Sequence, residues 1–187
     1  MSAIRTQQRY TVDEYEEMVV RGILTEQDRV ELIRGEIVDK MTIGTPHFVC
    51  VNRLNRILGR LFGDNGIISI QNPVLLADSA PEPDVVVLRS RADEYSSGKP
   101  GPADVLLLIE VSDSSLDFDR DVKGPLYAES GIVEFWIVNV DEARIEVYRR
   151  PTSTGTYEDV RILHRGDTVD LMAMPGVSIA VTDLLGA

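Results

Sequence analysis

Apolar residues fall into two rhythms along this chain. Between residues 45 and 62, Val51, Leu54, Leu58, Leu61 and Phe62 recur at three- and four-residue spacing, which predicts a helix with one buried stripe. Thr45 reads as its N-cap and Pro46 as its first helical residue, with Gly63 or Gly66 ending it. Residues 10–21, YTVDEYEEMVVR, predict a shorter helix capped near Thr11 or Asp13, with Gly22 just past its end. A third helix is expected over residues 119–130. The other rhythm is β-like. VELIRGEIVDKM (30–41) holds two alternating segments that meet at Arg34-Gly35 as a hairpin. Short apolar runs follow at IISIQ (67–71), PVLLA (73–77), DVVVL (84–88), VLLLIEVS (105–112), IVEFWIVNV (132–140) and RIEVYRR (144–150), ahead of a β-rich tail.

Runs as continuous as VLLLIEV suit central strands covered on both faces. The expected class is therefore α/β (α+β), a central mixed β-sheet flanked by helices. Phe135 and Trp136 read as core or interface aromatics, although alternation leaves open which of them faces outward. At 187 residues, with no internal repeat and no long linker, residues 1–187 form a single domain. Apolar residues make up 43% and charged residues 27%, as in ordinary globular proteins. No stretch is long enough to span a bilayer, the N-terminal residues lack a hydrophobic signal region, and the lone Cys50 has no internal disulfide partner. A cytoplasmic protein with no membrane partner is the expectation. The net charge of −12 argues against a protein that coats nucleic acid, yet acidic residues are what hard divalent cations require.

Two of those acids stand in costly places. Pro81 and Pro83 deliver Asp84 to the mouth of an apolar strand, and Glu110 follows five consecutive residues without a polar side chain. Strand alternation puts Glu110 and Ser112 on one face. Were the two strands neighbours, Asp84 and Glu110 would lie side by side, and close carboxylates repel unless a cation separates them. Each alone reads as a strand-end cap; together they read better as a hard-cation site, since Mg²⁺ takes only one or two protein carboxylates.

The ordered set VELIRGEIV, TPH, PEPDVVVL, LLLIEVSDSS and DRDVKGPLYAESGIVEFWIV resembles the Uma-two family, within the PD-(D/E)XK nuclease superfamily and common in bacteria. That resemblance covers roughly residues 10–150 and implies a restriction-endonuclease-like core. It assigns Asp84 and Glu110 as metal ligands and Glu31 as an additional upstream acid, otherwise a solvated hairpin residue. The superfamily's lysine position is taken by Ser112. The resemblance moves that lysine to Lys123, near the start of the third helix, with Tyr127 four residues on along the same face. That helix is expected to begin between Phe118 and Asp121, with Asp119 or Asp121 as its cap and Lys123 in its first turn. The competing reading of Lys123 is a solvated surface lysine. His47 matches a histidine of the family and gains a supporting role; capping or packing is the alternative. Arg53, Arg56 and Arg60 form the best local basic stripe, read either as a nucleic-acid contact or as a solvated face.

The implied function is a Mg²⁺- or Mn²⁺-dependent endonuclease acting on DNA. The catalytic set would be Asp84, Glu110, Lys123 and Glu31, with Ser112, Tyr127 and His47 in support, and a homodimer is compatible with cutting two strands. The alternatives are a non-catalytic binding module on the nuclease fold and a metal-dependent hydrolase with another substrate.

Overall fold

The computed structural model describes residues 8–25 and 27–186. Its centre is a six-stranded sheet in the order β3-β4-β5-β6-β7-β8, with β3 Gly66–Ile70, β4 Val85–Arg89, β5 Val105–Ser112, β6 Glu134–Asn139, β7 Arg144–Pro151 and β8 Tyr157–His164. Only the β5–β6 pair is parallel, and the helical crossover between those strands brings the chain back across one face. Alternation sorts the core. Val85, Val87, Leu107, Ile109, Trp136 and Val138 pack on one side beneath α2 (Thr45–Phe62) and α5 (Val181–Leu185). Val86, Leu88, Leu108, Phe135 and Ile137 pack on the other beneath α4 (Gly124–Glu129). Phe135 and Trp136 are both fully buried, on opposite faces, because this sheet is covered twice.

Helix α1 (Val12–Val20) starts at Thr11, whose hydroxyl accepts from the Glu14 N–H while the Glu14 carboxylate accepts from the Thr11 N–H. The β1 (Val30–Ile33) and β2 (Glu36–Asp39) hairpin turns at Arg34 (φ 49°) and Gly35 (φ 77°), two left-handed residues in succession as a tight hairpin demands. It is tied down beside the sheet by the Ala80 N–H, which donates to the Leu32 carbonyl at 2.8 Å. A separate two-stranded ribbon, β9 (Thr168–Asp170) with β10 (Ser178–Ala180), closes the tail.

Three expectations are corrected. PVLLA forms no strand: Val74 donates to Pro81, Leu75 to Pro100 and Leu76 to Ser79, so the segment is a buried loop. Pro73, Pro81 and Pro83 lack the N–H groups that a ladder needs, and the apolar run reported burial alone. The N-cap of α2 is Gly44, with Thr45 and Pro46 already helical; a Cβ at Gly44 would stand 3.0 Å from Asp113 Oδ2. The third helix begins earlier than expected, as α3 (Leu116–Phe118), and passes through a π-helical turn, Asp119–Lys123, into α4. There the Gly124 N–H reaches back five residues to the Asp119 carbonyl, the wider turn that lets Pro125 sit in a continuous helix. Lys123 thus stands in the second turn, and neither Asp119 nor Asp121 is the cap.

Candidate active site

Antiparallel register places Val85 opposite Ile109, so the preceding Asp84 comes opposite Glu110. The Asp84 N–H donates to Glu110 Oε2 at 3.3 Å. Asp84 Oδ2 accepts from the Val111 N–H at 2.8 Å and meets His47 Nε2 at 3.0 Å; its Oδ1 accepts from the Gln71 amide at 3.1 Å. Glu110 Oε1 accepts from Lys123 Nζ at 3.1 Å and from the Tyr127 hydroxyl at 2.7 Å. The Lys123 ammonium also lies 3.1 Å from Glu31 Oε1, while Glu31 Oε2 accepts from the Glu82 N–H at 3.0 Å. Hairpin, strand and crossover helix therefore meet at one ammonium. Glu31 and Lys123 are both buried, neither one solvated.

The charges are held by opposing forces. Burial pushes the Glu110 carboxyl up to about 8, with Lys123 pulling the other way. For Lys123 burial disfavours the charge, but Glu110, Glu31 and Asp119 outweigh it and raise its pKa. Asp84 is desolvated too, yet its bonds to His47, Val111 and Gln71 hold it below its usual value. His47 in turn is raised, because Asp84 overcomes the cost of its burial. Its Nδ1 is buried without a partner among the described residues.

Ser112, two residues after Glu110 on the same face of β5, is fully buried. Its hydroxyl donates to Asp119 Oδ2 at 2.5 Å, and the Ser115 hydroxyl donates to the same oxygen at 2.6 Å. Asp119 was missed as a site residue. The signal was available in Ser115, which proves to be the N-cap of α3, and Asp119 four residues on, but the expected helix start hid it. Gln71 was also missed; nothing in its local pattern marks it, since only the turn after β3 aims it at Asp84.

The arginine stripe lies elsewhere. His47 is on the buried side of α2, whereas Arg53 donates to the Leu185 carbonyl at 2.7 Å and is occupied in holding α5. Arg56 and Arg60 are exposed and border a separate groove with Ser178, Ala180 and Asp183. The carboxylates and Lys123 instead line a cleft of about 500 Å³. Among the described residues no three His, Cys, Asp or Glu side chains stand ready as a metal cage. No described helix is long and apolar enough to cross a membrane.

Residues 12–182 match the model of the Uma2 family, described as "Putative restriction endonuclease". The fold is similar to that in a "crystal structure of a putative nuclease belonging to DUF820 from Anabaena variabilis ATCC 29413", with a TM-score of 0.72. The two share 17% sequence identity over 94% of this chain and 97% of that one, a likeness of fold. No curated protein matches the chain.

Proposed function

The chain belongs to the Uma2 family of restriction-endonuclease-like proteins, and on that premise we propose that it is a divalent-metal-dependent endonuclease hydrolysing phosphodiester bonds in DNA. The observation that carries this reading is a charge imbalance. Four carboxylates with little solvent, Glu31, Asp84, Glu110 and Asp119, face one ammonium, Lys123, and one imidazole, His47. Even with His47 protonated and a proton kept on Glu110, three carboxylates face two cations, and uncompensated buried charge is costly. A donor set made of carboxylate oxygens suits Mg²⁺ or Mn²⁺.

Asp84 and Glu110 would hold the ion, with Glu31 beside them. When bound, it lowers the pKa of a water and neutralises charge on the phosphate. The remaining work falls to the chain's own groups. Lys123 offers an ammonium, in a nearly dry setting, to the charge that develops as the phosphodiester breaks. Tyr127 and the Val111 N–H hold Glu110 and Asp84 in orientation. His47 fixes Asp84 from the α2 side and keeps it ionised.

The rival is a nuclease fold retained as a non-catalytic binding module. It is favoured by Lys123, whose ammonium is already shared by Glu31 and Glu110. Supercoiled plasmid and labelled single strands, incubated with Mg²⁺, Mn²⁺ or EDTA, separate the two. Cleavage with metal that is absent in EDTA and absent in Asp84→Ala protein is the expected result. No cleavage under any of these conditions would leave the binding module.

A further inference from the structure

The cleft that leads to these groups is poorly made for a double helix. Its lining includes eight carboxylates, on Glu16, Glu31, Asp39, Glu82, Asp84, Glu110, Asp113 and Asp119, against four cationic side chains. Three of those four are already paired with carboxylates. Lys40 pairs with Glu82, Lys99 with Glu16, and Lys123 with Glu31 and Glu110, while the exposed Arg29 donates to the Met41 carbonyl at 3.0 Å and keeps its charge. Duplex binding runs on many contacts between such cations and phosphates, so a cleft that sets one uncommitted guanidinium, Arg29, against eight carboxylates gains little from a duplex and repels its charge density.

Depth points the same way. The side chains of Glu31, Glu110 and Lys123 are 3%, 4% and 8% exposed, so they lie on the floor of the cleft. A duplex is stiff over about 50 nm and carries its phosphates on its outside. Bringing one of them to an enclosed floor calls for the duplex to bend or distort locally, at a cost of about 1–6 kcal/mol, whereas a single strand has that freedom already.

The walls supply what an unpaired base would seek. Val19, Met41 and Ile43 line the cleft and are 42%, 50% and 40% exposed, and Phe118 lines it further in, half-buried. The Met41 end of this wall is fixed in place: the Lys40 N–H donates to the Arg29 carbonyl at 2.8 Å while the Arg29 guanidinium holds the Met41 carbonyl. An unpaired base can bury its faces on apolar and aromatic surface whatever its identity, whereas a paired base cannot.

Resting on the nuclease reading above, we propose that the substrate is unpaired DNA: the cleft takes a single strand, a frayed end or a flap, with a base against the Val19–Met41–Ile43 wall and its phosphate at Asp84 and Glu110. Specificity then comes from strand state and not from base sequence.

The test uses one labelled oligonucleotide presented as a single strand, as a blunt duplex and as a duplex with an unpaired tail. Cleavage is followed with Mn²⁺, and binding by fluorescence anisotropy in EDTA. The single strand and the tail are expected to be cut roughly tenfold or more faster than the duplex, and the single strand to bind more tightly. Met41→Ser with Ile43→Ser, both exposed positions, should raise KM for the single strand and leave kcat little changed. Duplex cut as fast as single strand overturns the strand-state proposal and leaves the nuclease standing. No cleavage but tighter single-strand binding overturns the nuclease and keeps the cleft's ligand. Neither cleavage nor preference overturns both.

Discussion

Burial takes Glu110 far from its ordinary chemistry. Its carboxyl is raised from 4.5 to about 8, so the folded protein keeps a proton that the unfolded chain gives up between those values. The associated stability is full below the unfolded value and drains away as pH rises through about 8. Glu110→Gln removes this titration. In EDTA, its melting temperature should gain on that of the wild type as pH is raised from about 6 to about 9; a constant gap would mean that Glu110 is ionised throughout. If Glu110 is a metal ligand, binding must expel its proton, so calorimetry in buffers of different ionisation enthalpy should show release of about one proton per ion near neutral pH. Lys123→Met is expected to lower cleavage by about 10²–10³-fold, the usual cost of one lost transition-state charge contact. Metal affinity should survive in that variant, since the change removes a cation and no carboxylate; isothermal titration with Mn²⁺ reads this directly.

At the scale of elements, the π-helical turn decides where Lys123 points. Its neighbour Arg120 donates from Nε to Glu146 on β7 at 2.8 Å, with a second guanidinium contact to the same carboxylate. Glu146 is buried and also accepts from the Tyr148 hydroxyl at 2.6 Å. This pair clamps the crossover helix to the sheet a few residues from the site. Arg120→Ala should therefore depress kcat more than KM, and Arg120→Lys should recover part of the loss; equal activity in all three proteins would show that the turn holds without the clamp. The hairpin that carries Glu31 has a comparable weak point at Gly35. Its φ of 77° is disfavoured for any residue with a Cβ, and an added Cβ would lie 3.1 Å from the Tyr10 carbonyl oxygen. Gly35→Ala is expected to cost about 1 kcal/mol or more in urea unfolding and to reduce cleavage by displacing Glu31.

Taken whole, the molecule is strongly acidic, and its best basic stripe does not face the cleft. Arg53 is engaged by α5, and Arg56 and Arg60 lie on the side of α2 away from His47. Exchanging Arg56 and Arg60 for alanine should leave the salt dependence of DNA binding unchanged; a slope shallower by about two would restore them as phosphate contacts. What local pattern could determine was determined: the amphipathic stripe of α2, the alternating hairpin at Arg34-Gly35 and the continuous runs of β4 and β5 each carry their own period, so the mixed sheet between helices was legible. The pairing of Asp84 with Glu110 was legible too, once the two strands were taken as neighbours. PVLLA shows the limit, because an apolar run states burial without stating a ladder. Only the tertiary structure could decide that Ser112 anchors Asp119, that Gln71 reaches Asp84 and that Lys123 is shared between Glu31 and Glu110. These contacts join residues that are 7, 13, 13 and 92 positions apart. They depend on strand register and on one widened helical turn, neither of which a local period encodes.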